Sequence, residues 1–332
     1  MCAAYLPIVC SVFTMGKQAL EAMPRFKLNS GASIPAVGLG TWQSEPGLVG
    51  KAVKEAVKVG YRHIDCAKAY KNEKEVGDAL QELYKEGIVK REDLWITSKL
   101  WCTDHNDVEE ALKGSIERLQ CEYLDLYLVH WPCALKKDAE GTGPEDFVPL
   151  NIKGTWAAME KCYESGLAKS IGISNFTVEK TKSLLSHCKV RPAVNQVECH
   201  PLWQQKKLWP YLKSEGIHLT AYSPIGSSNS PFADINVLEL PTITKMAEKY
   251  KRSPAQIALR WNIQQGHSVL PKSTHADRLA SNIELFDFEI SEEDLDEFAK
   301  IEQHRLLRGD EMWVNDSTSP YKTVEELWDG DI

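Results

Sequence analysis

Four side chains able to move a proton fall at or just past the ends of successive apolar runs. Asp65 closes the run Tyr61–Asp65, Tyr70 follows five residues later, Lys99 closes Leu94–Lys99 and His130 closes Leu124–His130. Together they suit the reduction of a carbonyl group. A phenol titrates near pH ~10, and an ammonium beside it favours the phenolate, so Lys99 is expected to lower the pKa of Tyr70 and make it a usable acid. Asp65 would keep Lys99 charged and oriented, while His130 would orient the carbonyl oxygen and stabilise the charge that develops on it. Taken singly, Asp65 reads equally well as a helix cap, Lys99 as a solvated charge and His130 as a satisfied core histidine. Their recurrence at the ends of consecutive runs argues for one site.

The elements that must position them alternate. Eight short apolar runs, Ala36–Leu39, Tyr61–Asp65, Leu94–Lys99, Leu124–His130, Lys169–Ser174, Ala193–Glu198, His218–Tyr222 and Ser268–Leu270, are separated by segments of helical period. Those segments include Leu48–Val59, Glu73–Lys85, Val108–Leu119, Thr155–Ser165 and Ser253–Gln265. Within Glu73–Lys85, Val76, Leu80 and Leu83 share one helical face and Lys74, Asp78 and Glu82 the other, the pattern of a helix outside a sheet. Such a rhythm predicts parallel strands joined by crossover helices, and eight repeats favour a closed (β/α)8 TIM barrel over a doubly wound sheet. The motif Gly38-Leu39-Gly40-Thr41-Trp42 lacks the third glycine and the immediate helix of a dinucleotide-binding turn. Ahead of the first run, Phe26–Leu28 and Ser33–Ile34 flank Asn29-Ser30-Gly31-Ala32, which predicts a β-hairpin plugging the barrel bottom. Residues 304–332 show little regular patterning and are expected to form a long C-terminal loop over the mouth, where Met312, Trp313 and Val314 can reach a substrate.

The 332 residues are 43% hydrophobic and 26% charged, enough to bury a large core. With 39 basic against 47 acidic side chains the net charge is −8 and no dense basic run occurs, which argues against nucleic acid. The nine cysteines show neither zinc-site spacing nor disulfide density, so reduced thiols in the cytoplasm, and no metal, are expected. The apolar segment from Ala3 to Phe13 has no preceding basic residue and is too short to span a bilayer. Residues 1–23 are read as a disordered extension and 24–332 as one barrel domain, acting as a monomer on a small molecule without a membrane partner.

Several motifs, in order, carry a resemblance to the aldo-keto reductase superfamily from about Phe26 to Ile332. They are Gly38–Trp42, Gly60-Tyr61-Arg62-His63-Ile64-Asp65-Cys66-Ala67 with Tyr70, Ser98-Lys99-Leu100-Trp101, and Asp125-Leu126-Tyr127-Leu128-Val129-His130-Trp131-Pro132. The resemblance assigns the catalytic tetrad to Asp65, Tyr70, Lys99 and His130 and implies hydride delivery from NADPH, leaving NADP+. Gly172-Ile173-Ser174-Asn175-Phe176 and Asn195-Gln196-Val197-Glu198 place Ser174, Asn175 and Gln196 on the nicotinamide carboxamide. Ala221-Tyr222-Ser223-Pro224 supplies Tyr222 as the ring stacked on the nicotinamide. In Pro271–Asn282 it implies that Lys272, Ser273 and Arg278 hold the 2′-phosphate and that Asn282 contacts adenine, while Ser281 departs from the longer polar residue usual there. Thr41, Trp42, Asp65, Ser223, Pro224, Gly226 and Thr274 complete the expected cofactor contacts.

On the substrate side the resemblance names Trp42, Tyr70, Trp101, His130 and Trp131, and the C-terminal loop adds Trp313. The ending from Ser319 to Ile332 looks like the plant branch, which implies broad reduction of aldehydes, methylglyoxal and aldoses in stress detoxification. A dedicated reductase of a sugar phosphate or plant metabolite, and an NADPH-binding sensor or channel-associated subunit, stay open as alternatives. A metal-dependent barrel hydrolase is disfavoured because no carboxylate and histidine cluster has ligand spacing.

Overall fold

The computed structural model describes residues 23–227 and 233–332. The expected N-terminal extension therefore lies outside the described residues except for Met23. Chain entry is the predicted hairpin, β1 (Arg25–Lys27) antiparallel to β2 (Ser33–Pro35), with Phe26 opposite Ile34. Its Leu28 and Ile34 pack on Trp95, Leu126, Leu128 and Val194, closing one end of the sheet that follows.

That sheet grows by repeated strand–helix steps. The first strands and helices are β3 (Leu39–Gly40), α1 (Val49–Val59), β4 (His63–Asp65), α2 (Glu73–Lys85), β5 (Trp95–Leu100), α3 (Val108–Leu119) and β6 (Leu126–Val129). An antiparallel pair lies outside the barrel, β7 (Ala134–Leu135) with β8 (Phe147–Val148), and no sequence pattern foretold it. The chain continues through α4 (Ile152–Glu164), β9 (Ile171–Ser174), α5 (Val178–Leu185), β10 (Val194–Glu198), α6 (Leu208–Ser214) and β11 (His218–Tyr222). After α7 (Pro241–Tyr250) and α8 (Pro254–Gln264) comes β12 (Ser268–Leu270).

Eight strands pair in parallel in the order β12-β11-β10-β9-β6-β5-β4-β3, and the ring closes where Val269 N donates to Ala36 O at 2.9 Å and Gly38 N to Val269 O at 2.8 Å. Sheet strands covered on both faces show no alternation of buried and exposed positions, and β5 is buried throughout, its polar Thr97, Ser98 and Lys99 included. The helices behave as their periodicity requires: α2 buries Val76, Leu80 and Leu83 and leaves a Lys74–Asp78 ion pair of 2.9 Å in solvent. Ser253 and Gln256 form a capping box that starts α8 directly after Ser253, with Pro254 in its first turn.

The C-terminal segment is more ordered than its sequence suggests. After α9 (Ala276–Ser281) and α10 (Glu292–Ala299) it holds two short helices, α11 (Asp310–Trp313) and α12 (Val324–Trp328), which fold over a cluster of Trp131, Cys133, Phe147 and Trp313. Among the described residues no helix is long and apolar enough to cross a membrane.

Candidate active site

The strand ends open on one cleft of 1130 Å³, lined by the residues that close β3, β4, β9, β11 and β12 and by Gln196 near the end of β10. This is the face on which a barrel of this kind carries its chemistry.

At its floor β5 delivers Lys99, fully buried, to three acceptors: Asp65 Oδ2 at 2.6 Å, Cys66 O at 2.9 Å and Tyr70 Oη at 3.1 Å. The Tyr70 ring lies under the same ammonium, 4.8 Å from centroid to Nζ. Asp65 is fixed from its other oxygen by Gln196 Nε2 at 2.8 Å. Tyr70 ends a single 3-10 turn (Lys68–Tyr70) held in place twice: Asn72 Nδ2 donates to Thr41 O at 2.9 Å, and Lys68 pairs with the buried Asp104 at 2.6 Å. His130, just past β6, meets Tyr70 edge-on with ring centroids 5.7 Å apart and Trp101 at 5.3 Å.

Electrostatics at this floor differ from the expectation in one respect. Burial pushes the Tyr70 phenol up to about 12; Lys99 pulls against that and does not overcome it, while Asp65 pushes the same way as burial. Tyr70 is therefore a neutral phenol across the physiological range. For Lys99 burial opposes the charge, but Asp65 and Tyr70 outweigh it and raise its pKa, so the ammonium persists. Burial first and then Lys99 hold His130 well below the ordinary histidine range, as neutral imidazole. Its Nδ1 is buried without a partner, which leaves Nε2 to face the cleft.

Above the floor, Ser174 Oγ donates to Gln196 O at 2.8 Å, Asn175 Nδ2 to His130 O at 3.0 Å, and Tyr222 Oη to Asn175 Oδ1 at 2.7 Å. All five residues line the cleft, and Gln196 Oε1 accepts no hydrogen bond from the described residues, which leaves it for a ligand. Farther along, Lys272 and Arg278 are exposed on the cleft wall, with Ser273, Thr274 and the buried Asn282 beside them. Among the described residues Lys272 donates only to Gln43 O, at 3.1 Å.

Thr41, Trp42, Trp101, Trp131, Ser223 and Pro224 line the cleft as expected. Three expected contacts do not. Trp313 is 0% exposed, its ring tilted against those of Trp131 and Trp101 with centroids 5.2 Å and 5.8 Å apart behind the wall, because α11 turns it inward; Met312 and Leu307 face the cleft instead. Gly226 is also off the cleft wall. It adopts φ +79°, and a Cβ there would lie 2.2 Å from Val237 Cγ2, so its place is set by a left-handed turn against Val237. Val314 likewise falls outside the lining. Leu307, Ile225 and Leu238 were missed because their approach depends on tertiary folding and no local pattern marks it.

A barrel whose mouth gathers a neutral phenol, a buried ammonium and a neutral imidazole beside a long groove ending in two cations defines a carbonyl oxidoreductase with a phosphorylated cofactor. The Aldo/keto reductase family model matches residues 36–303, and the chain belongs to this family. It is 52% identical over 309 residues, 92% of this chain and 98% of the relative, to the Arabidopsis thaliana protein Aldo-keto reductase family 4 member C11. A solved aldose reductase of Schistosoma japonicum is 38% identical, with TM-score 0.83 over 90% of this chain and 99% of that one. A Bombyx mori aldo-keto reductase solved with NADP is 36% identical, with TM-score 0.82 over the same shares.

The chain is thus an NADP(H)-dependent reductase of carbonyls, and the groove fits that cofactor on its own terms. Lys272 and Arg278 make no ion pair with a carboxylate among the described residues. A Cβ on Gly40 would come to 3.0 Å from Leu270 O, so glycine lets β3 lie close against the end of β12 where both line the groove.

Proposed function

We propose that the chain reduces small uncharged aldehydes, and some ketones, to alcohols, with Tyr70 giving the proton. The observation that carries this reading is the chain from buried Asp65 and Lys99 to half-buried Tyr70, 2.6 Å and 3.1 Å between successive partners, facing the cleft beside His130. NADPH, when bound, supplies the hydride. Tyr70 is loaded as a neutral donor, and its proton passes to the carbonyl oxygen as that oxygen gains charge. Lys99 stabilises the phenolate left behind, and Asp65, itself held by Gln196, keeps Lys99 in register. With its proton assigned to Nε2, neutral His130 donates a hydrogen bond that orients the carbonyl.

For the cofactor, we assign Ser174, Asn175 and Gln196 to the carboxamide and Tyr222 to the ring face. Lys272, Ser273 and Arg278 take the 2′-phosphate, with Thr274 and Asn282 toward the adenosine. Among the described lining residues Lys272 and Arg278 are the Lys and Arg side chains, and both follow β12, which stands opposite β6 in the ring. The wall near His130 is Trp42, Trp101, Trp131, Leu307 and Met312. A sugar phosphate would find no counter-charge there, whereas methylglyoxal, alkyl aldehydes and open-chain aldoses need none. Detoxification of reactive carbonyls fits that inventory, and the free cysteines, including buried Cys66, Cys102 and Cys133, fit a reducing compartment such as the cytoplasm.

The test is kcat/KM for NADPH consumption across alkyl aldehydes, methylglyoxal, aldoses and sugar phosphates. Uncharged aldehydes should lead. A preferred sugar phosphate would overturn the substrate class, and NADPH binding without turnover of any carbonyl would point to a regulatory role.

A further inference from the structure

One buried carboxylate takes no part in the chemistry above. Glu198 ends β10 two residues past Gln196, and the two-residue period of a strand turns both side chains the same way. Gln196 reaches down to Asp65, while Glu198, 1% exposed, reaches the C-terminal segment. Its Oε1 accepts from Leu306 N at 3.0 Å and from His200 Nε2 at 2.9 Å, and its Oε2 accepts from Leu307 N at 3.1 Å. Arg305 Nη1 stands 3.9 Å away, its guanidinium set between Trp203 at 4.5 Å and Trp328 at 3.7 Å. Burial opposes the Glu198 charge, but His200, Arg305 and the Leu307 N–H outweigh it and keep its pKa below the ordinary carboxylate value.

The segment so held is a wall of the cleft. Leu307 lines it, and Leu306, Leu307, Trp42 and Ser223 enclose a small side crevice that Glu198 also lines. Two successive backbone N–H groups converging on one buried carboxylate fix a chain far more tightly than apolar packing of two leucines would. Trp328 Nε1 to Arg308 O at 2.7 Å and His304 N to Leu202 O at 2.8 Å hold the backbone on either side of this pair, while Lys180 to Asp329 at 2.7 Å and Tyr321 Oη to Pro132 O at 2.9 Å act on the outer part of the segment.

We propose that Glu198 is a positioning residue for substrate size: its carboxylate fixes the backbone of Leu306 and Leu307 and thereby sets the Leu307 wall of the cleft. This rests on the cleft being the site of carbonyl reduction. Leu307 N also lies 3.2 Å from Oε1, so Glu198→Gln keeps the volume and one acceptor oxygen but removes the charge and sets an amide N–H₂ against the Leu307 N–H, which loosens the hold on the segment.

The experiment compares wild type, Glu198→Gln, Leu307→Ala and the double variant, with a short aldehyde (propanal) and a longer one (hexanal). Glu198→Gln should raise KM for hexanal about tenfold, the size of one charge-assisted hydrogen bond lost, with KM for propanal, kcat and the Kd for NADPH within about threefold. Leu307→Ala, which takes the wall away directly, should raise KM for hexanal more than KM for propanal, and the double variant should be no worse than the worse single, because both remove one wall. Equal KM losses for both aldehydes, additive effects, or a matching loss of NADPH affinity would overturn the proposal. Amide hydrogen exchange gives a readout that needs no turnover. In Glu198→Gln the amides of Leu306 and Leu307 should lose protection while β10 keeps its own, and unchanged protection would overturn the proposal even if the cleft proved to reduce no carbonyl. Should Glu198→Gln not fold, Glu198→Asp, which keeps the charge and loses the reach, should show the same loss at those two amides.

Discussion

The floor of the cleft and its far rim are both polar and are built in opposite ways. At the floor Lys99, Asp65 and Gln196 are buried, and each is tied to another protein group. At the rim Lys272 and Arg278 stand in solvent with no carboxylate partner among the described residues. A buried charge must be matched within the protein, so the floor exists in its working geometry before any ligand arrives. An exposed charge costs little to leave waiting, so the rim can keep its cations free for a phosphate. The floor should therefore govern rate and stability together, and the rim should govern affinity for one cofactor over another.

Breaking the floor gives the largest effect. Lys99→Met leaves Asp65 buried without its cation, and removing one partner of such a pair costs about 3–5 kcal/mol. Thermal and denaturant melts should register that loss, and reduction of an aldehyde should fall by orders of magnitude in whatever remains folded. A Lys99→Met variant as stable and active as wild type would mean that the floor is not organised around this ammonium.

Acid should act on the barrel before it acts on the rim. Burial lowers His63, His218 and His267 to about 3 and His105 to about 4. In the unfolded chain each titrates near ~6.5. Between those values the unfolded state binds more protons, so stability is intact above pH ~6.5 and is lost as pH falls below it, by up to about 1.4 kcal/mol per pH unit for each histidine. Denaturant unfolding at about pH 7.5, 6.5 and 5.5 checks this. Unfolding free energies that stay flat over that span would show that these imidazoles are not buried neutral.

The rim gives the smallest effect and the most selective one. Arg278→Ala should raise the Kd for NADPH about tenfold to a hundredfold, from the loss of one charge-assisted hydrogen bond of roughly 1.5–3 kcal/mol. NADH affinity should hardly move, and added salt should shrink the difference because the site is exposed. Fluorescence titration of both cofactors decides it, with equal losses for NADPH and NADH removing Arg278 from the phosphate site.

The same contrast explains what could be read from the residues alone. Barrel strands declare themselves because they are buried on both faces: His218–Tyr222 and Ser268–Leu270 run as the sequence predicts, and Leu124–His130 shortens to Leu126–Val129 with an isolated bridge at Leu124. Asp65, Tyr70, Lys99 and His130 were legible because strand ends are a fixed address in this architecture. The lining of the mouth was not. Whether Met312 or Trp313 faces the cleft depends on one short helix docking on Trp131, and the Glu198–Leu306 bond joins residues 108 apart, with no local period to reveal either. The Tyr70 pKa escaped for the same reason, since the Lys99 partner can be guessed from spacing while the burial that outweighs it cannot.

The central claim, that Tyr70 is the acid of a prebuilt floor, is tested most directly by Tyr70→Phe, which removes the proton and keeps the ring. Aldehyde turnover with saturating NADPH and the Kd for NADPH should be measured on the same preparation. The account predicts kcat lowered by about 10²–10⁴-fold, the usual share of a positioned proton donor, with NADPH affinity within about twofold of wild type. A variant that keeps near-normal kcat would contradict it.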